Sequence, residues 1–207
     1  MDEIGARLTR LMFECFTLKR ELEAESPFGA DSGNAAEQLL AALPEDGKAI
    51  PLGPYAEIIP NLSIGYEAGT GAKIEARRSP AAPPEGPFSL EAAEIAVVDI
   101  GASRWLTIEY IWDWSALTAK GSAHLLFEAD ALPATTIRPK LRLQTAAGDR
   151  RDIDSGQFRI GRNRDIQMAS LILPNSGVEF DYSVRPTIIM FLDPTRVVLN
   201  VSRLFVW

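Results

Sequence analysis

TIRPKLRLQT, residues 136–145, and SVRPTIIMFLD, residues 183–193, read almost alike. Each carries a small hydroxyl residue, a β-branched residue, Arg-Pro and then an aliphatic run. In the first, Ile137, Leu141 and Leu143 alternate with Arg138, Lys140 and Arg142, the period of a strand with one wet face. In the second, TIIMFL is apolar on both faces, the pattern of a central strand. The echo therefore predicts two strands of one sheet fold. Arg-Pro is expected at the start of each, where a missing N–H costs no ladder bond.

The same period runs through most of the chain after Phe88. Leu106, Ile108, Tyr110 and Trp112 alternate with Trp105, Thr107 and Glu109, and Ala123, Leu125, Phe127 and Ala129 alternate with Ser122, His124, Glu128 and Asp130. Further strands are expected at 158–160, 166–173, 187–192 and 197–206. Short turn signals separate them, among them Lys120-Gly121, Ala147-Gly148-Asp149 and Asp193-Pro194. Many strands at short spacing without intervening helices predict a mainly β fold: an antiparallel jelly-roll-like β-sandwich preceded by an N-terminal helical segment.

That helical segment is read over residues 1–46. Ile4, Leu8, Leu11, Cys15, Leu18 and Leu22 form a heptad seam, expected either to self-associate as a short coiled coil or to pack on its own domain. Asn34 to Leu43 is a second short helix, with Asn34 as cap, Glu37 three residues on and Pro44 as stop. Residues 47–88 are a Pro/Gly-rich connector able to supply edge strands, and ARRSPAAPPEGPF, 76–88, reads as a loop because prolines oppose both helix and central strand. The sandwich domain is placed at 89–207.

Composition bounds the function. Hydrophobic residues make up 46%, which fits an ordered globular fold. A net charge of −7 disfavours nucleic-acid binding, which needs clustered Lys and Arg against phosphate. No apolar run is long enough for a membrane span. With one cysteine, no disulfide can close within the chain, and a reducing compartment is expected. The opening MDEIGARLTR lacks a secretory pattern, so cytoplasmic synthesis is expected, with release by lysis as part of a particle.

No catalytic constellation stands out. His124 is the sole histidine and falls on the polar face of a strand. Asp130, Asp152 and Asp154 could join carbonyls around a calcium ion, although aspartates in turns more often shape the turn. No cofactor is implied, and the metal question stays open. Arg138, Lys140 and Arg142, with Arg159, Arg162 and Arg164, make a basic stripe suited either to the acidic groups of a polysaccharide or to solubility and edge protection. The stretch WLTIEYIWDW, 105–114, concentrates three of the four tryptophans. In this register Trp112 faces the core, Trp105 lies on the outer face and Trp114 follows Asp113 into a turn.

Residues 89–207 resemble the jelly-roll modules that include carbohydrate-binding domains. The resemblance rests on WLTIEYIWDW, RPKLRL (138–143), the GRNRD turn (161–165) before DIQMASLIL, and the closing VVLNVSRLFVW (197–207). It implies glycan binding by exposed aromatics and loop polar groups, here Trp105, Trp114, Arg162, Asn163 and Asp165, with a structural calcium in many members. The expected function is a non-enzymatic glycan-binding module, as the receptor-binding fibre or spike of a phage-like particle that recognises cell-surface polysaccharide. Residues 1–25 would then hold it in a homo-oligomer or larger assembly. The alternative is a structural or adaptor protein that docks through its N-terminal helix and binds no sugar. A third, enzymatic reading needs a carboxylate pair, for which Glu109 and Asp113 are the candidates.

Overall fold

The computed structural model describes residues 34–79, 91–173 and 178–207. Thirteen strands fill two sheets within them: β1 Ile50–Leu52, β2 Glu57–Ile59, β3 Leu62–Tyr66, β4 Lys73–Arg78, β5 Ala93–Asp99, β6 Leu106–Ile111, β7 Ser122–Leu132, β8 Thr135–Gln144, β9 Arg150–Asp154, β10 Phe158–Ile160, β11 Asp165–Ile172, β12 Thr187–Leu192 and β13 Val198–Val206. Sheet I runs β1-β4-β5-β13-β7-β11. Sheet II runs β10-β8-β12-β6-β3-β2, with β9 also on β8. Every pairing is antiparallel. The chain is a β-sandwich, as its alternation predicts.

Alternation sends one set of side chains between the sheets. Leu125, Phe127 and Leu171 from sheet I, with Ile137, Leu141, Ile188 and Met190 from sheet II, are fully buried. The two echoing stretches are neighbours, β8 lying antiparallel to β12 with Met190 opposite Pro139 and Thr187 opposite Arg142. TIIMFL is central, between β8 and β6.

The expectation for Arg-Pro holds only for β12, which begins just after Pro186. Pro139 sits inside β8. It is tolerated because β8 has two short partners on that side: β10 covers 135–137 and β9 covers 140–144, leaving Pro139 at the seam. There its carbonyl accepts from the Ser155 N–H at 3.4 Å and the Ser155 hydroxyl at 3.2 Å. The missing N–H faces the same seam, so no ladder bond is lost.

Among the described residues two short helices accompany the sheets. Helix α1, Ala35–Ala42, starts at Asn34 as expected. The Asn34 carboxamide oxygen accepts from the Ala36 N–H at 3.1 Å and also from the Leu204 N–H of β13 at 2.9 Å, while its amide nitrogen donates to Glu37. One side chain thus caps the helix and ties it to sheet I. Helix α2, Trp114–Lys120, replaces the expected turn. Asp113 caps it, Lys120 sits in its last turn and Gly121 ends it at φ 68, so the local start and stop signals were present.

The stretch read as a connector supplies β1 to β4, and β3 and β4 are each bonded on both sides. Ala76, Arg77 and Arg78, read as loop, belong to β4 and pair with β5, because the prolines begin only at Pro80. The heptad of residues 1–25, Ser26-Pro27 and the proline cluster from Pro80 to Phe88 lie outside the described residues.

Candidate functional site

Parity along sheet II sets what its outer face presents. Thr107 and Glu109 of β6, Thr187 and Ile189 of β12, and Arg138, Lys140 and Arg142 of β8 all point away from the core. Ile189 is only 1% exposed there, so something covers it. It forms the floor of a cleft of about 370 Å³ whose lining includes Tyr55, Glu109, Arg142, Gln144, Arg150, Val184, Arg185 and Thr187.

One wall is a turn with unusual chemistry. Gly53-Pro54-Tyr55-Ala56 closes with the Ala56 N–H donating to the Gly53 carbonyl at 3.2 Å. Pro54 stands second, as such turns favour, and Tyr55 stands third at φ 56, where glycine or asparagine is usual. A bulky side chain in the left-handed region is strained, on the order of 1–3 kcal/mol. Its surroundings hold it there: the Tyr55 N–H donates to the Ile64 carbonyl at 2.9 Å, and its hydroxyl accepts from the Trp105 indole N–H at 3.1 Å.

Gly65 makes the arrangement possible. A Cβ there would collide with Thr107 Oγ1 and would stand 2.7 Å from Tyr55 Cε1 and 2.8 Å from Glu109 Oε1. The bare backbone thus lets a phenol ring, a carboxylate and a hydroxyl converge. Thr107 donates to Glu109 Oε1 at 2.8 Å, which orients the carboxylate.

The opposite wall is the segment entering β12. Trp114 Nε1 donates to the Val184 carbonyl at 2.7 Å, and its ring packs on Phe180 and Tyr182. Arg185 Nη1 donates to Asn61 Oδ1 at 2.9 Å, and Asn61 itself holds φ 68 in the β2–β3 hairpin.

Ion pairs stripe the remaining face. Arg142 grips Asp152 with two bonds of 2.8 Å, Lys140 reaches Asp154 at 3.3 Å and Arg138 reaches Asp193 at 3.1 Å. The Arg142 bonds hold the Asp152 carboxyl below its ordinary range and push the guanidinium up. Asp154 is also lowered, first by the Gly156 N–H it accepts from and then by Lys140.

Of the residues the sequence singled out, Trp105 is half-buried, lies outside the cleft lining and reaches the site only through its bond to Tyr55, with the Arg104 guanidinium 5.8 Å from its ring centre. Trp114 is 7% exposed and supports the far wall from beneath. Its indole face is covered by protein, so it offers no surface to a ligand. Arg162, Asn163 and Asp165 are exposed where the chain passes from β10 to β11, outside the cleft lining. Asp165 accepts from the Ile166 N–H and Gln167 Nε2.

His124 bonds Ser122 and Ser170 on sheet I. Asp130 accepts from Asn200 on that sheet, away from Asp152 and Asp154 on β9. Among the described residues no three His, Cys, Asp or Glu side chains group in a way that could hold a metal ion. Glu109 and Asp113 do not share a strand face, since β6 ends at Ile111 and Asp113 turns into the α2 cap. Its hydrogen bonds with Ser115 lower the Asp113 carboxyl.

Tyr55, Arg150 and Arg185 escaped the sequence reading as site residues. The signals were Gly-Pro-Tyr-Ala, a turn with an aromatic in the glycine position, and Gly65 inside LSIGY, a strand glycine that marks a close approach.

No protein-family model matches the chain. No curated protein matches it either. Among solved structures, the chain is similar to the C-terminal family 22 carbohydrate-binding module of Clostridium thermocellum Xyn10B, with 12% identity, 79% of this chain and 94% of that one covered, and a TM-score of 0.47. It is also similar to the family 11 carbohydrate-binding module from Clostridium thermocellum, solved with a β-1,3-1,4-mixed-linked tetrasaccharide, at 12% identity, 75% and 93% coverage and a TM-score of 0.44. A third match is bacteriophage CBA120 tailspike protein 4, at 12% identity, 70% and 19% coverage and a TM-score of 0.41.

Proposed function

We propose that the chain is a non-enzymatic glycan-binding module whose site is the cleft on the outer face of sheet II. The observation that carries this reading is Tyr55, held at φ 56 over Gly65 with its hydroxyl fixed by Trp105. A rigid aromatic wall beside Glu109, Gln144 and three arginines offers an apolar face for a sugar ring and oriented polar groups for its hydroxyls.

Binding without cleavage is favoured by the carboxylates. Glycoside hydrolysis in most families needs two acidic groups facing one bond. Among the described residues Glu109 is the one carboxylate in the cleft lining, Asp113 caps a helix and Asp152 is held by Arg142.

The finer setting is a fibre or spike that recognises cell-surface polysaccharide, with residues 1–25 assembling several copies so that weak sites gain avidity. A glycan array on the full chain, with calcium and with chelator, tests the reading beside Tyr55→Ala and Trp105→Ala. Binding by the native chain that falls about tenfold or more in both variants supports it. If the native chain binds no glycan, the adaptor reading takes over. Light scattering that shows a monomer removes the avidity setting.

A further inference from the structure

Among the described residues the cleft lining carries three guanidiniums, Arg142, Arg150 and Arg185, against the single carboxylate of Glu109, in a chain whose net charge is −7. Their positions differ in one respect. Arg142 is neutralised by its two bonds to Asp152. Arg185 bonds the uncharged Asn61 side chain, and Arg150 opens β9 opposite Gln144. Among the described residues neither has a carboxylate within ion-pair distance, although Asp113 feels Arg185 and Asp152 feels Arg150 at longer range.

Both belong to one end of the cleft, since Thr187, two residues after Arg185, lies opposite Arg142, two residues from Gln144. The β8 part of the basic stripe, Arg138, Lys140 and Arg142, is closed off by Asp193, Asp154 and Asp152. The two cations beside it are not.

We infer that the cleft selects an anionic polysaccharide, one whose sugar rings carry carboxylate or sulfate, with Arg150 and Arg185 gripping the acidic groups while Tyr55 covers a ring. This rests on the glycan-binding reading above. Planar guanidiniums match both oxyanions with paired hydrogen bonds, and a partly enclosed site screens them less than open water.

The test titrates the full chain with polygalacturonate and with dextran sulfate, each beside its uncharged counterpart, carboxyl-reduced polygalacturonate and dextran, at physiological salt. At least one acidic polymer is expected to bind about tenfold or more tightly than its counterpart, and Arg150→Gln and Arg185→Gln are each expected to lower that affinity about tenfold. Arg196→Gln, which removes the same charge at a position paired with Asp99 of sheet I, is expected to leave it unchanged. Equal affinity for charged and uncharged polymers overturns the inference and leaves the glycan reading standing. An equal loss with Arg196→Gln also overturns it, because the attraction would then be diffuse. If none of these polymers binds and the array is blank, both fall together.

Discussion

Strand β6 has a tryptophan–tyrosine pair at each end, and the two pairs do different work. At its start, Trp105 donates its indole N–H to the phenol of Tyr55, whose ring lines the cleft. Beyond its end, Trp114 packs 4.9 Å from Tyr182, donates to a backbone carbonyl and is buried. The residue types are the same, and so is the local sequence texture. The difference lies in the backbone partner: a buried indole is satisfied by a carbonyl that cannot move away, whereas Trp105 is satisfied by a side chain that itself faces solvent.

The largest effect expected from breaking this comparison is at the buried pair. Trp114→Ala removes a large core side chain and leaves the Val184 carbonyl unpaired, with a cost of about 3–5 kcal/mol in denaturant unfolding. A change below about 1 kcal/mol would mean that the far wall does not depend on this indole. Gly65→Ala comes next, since the added methyl must displace Thr107, Tyr55 or Glu109. It is expected to destabilise by about 1–3 kcal/mol and to reduce glycan binding more than that loss of folded protein explains, as titration of the still-folded fraction would reveal.

At the open pair the order reverses. Trp105→Phe keeps the aromatic surface and removes the N–H that fixes Tyr55, so glycan affinity should fall several-fold while the unfolding free energy moves by about 1 kcal/mol or less. If affinity is unchanged, the bond to Tyr55 is ornamental.

A smaller effect sharpens the contrast from the side of charge. Because the folded-state pKa of Asp152 is lowered, its pairing contributes stability above about pH 4, the ordinary carboxylate value, and that contribution is lost as pH falls through the lowered value. Asp152→Asn should therefore flatten the acid limb of a stability–pH curve and leave its slope above about pH 6 unaltered. The smallest effect is expected on sheet I, where Ile172→Lys, at a side chain 66% exposed on the edge strand β11, should change stability by no more than about 0.5 kcal/mol. A larger loss would mean that this face is covered in solution.

How far the sequence could be read follows from the same contrast. Period-two alternation located β6, β7 and β8, because a strand with one wet face writes its register into its residues, while β12 was legible as a continuous apolar run. The strands β1 to β4 were harder to see, since none exceeds six residues and Pro51 and Gly65 interrupt β1 and β3. Trp105 was legible as a surface aromatic from parity. Trp114 was not legible as core, because the helix that buries it begins at the residue itself and hides the parity. Tyr55 could not be found from period or composition. Its role depends on a glycine ten residues later and a tryptophan fifty residues later, and only the folded register brings the three together.

The placement of β13 bears on how the protein is made. It lies between β5 and β7, so the β1-β4-β5 group and the β7-β11 group of sheet I join only through it. Every strand it links comes earlier in the chain, so sheet I is expected to stay in two pieces until residues 198–206 are free to pair. Those pieces expose open strand edges for that interval, and the nascent chain is expected to depend on chaperone cover then more than at any later stage.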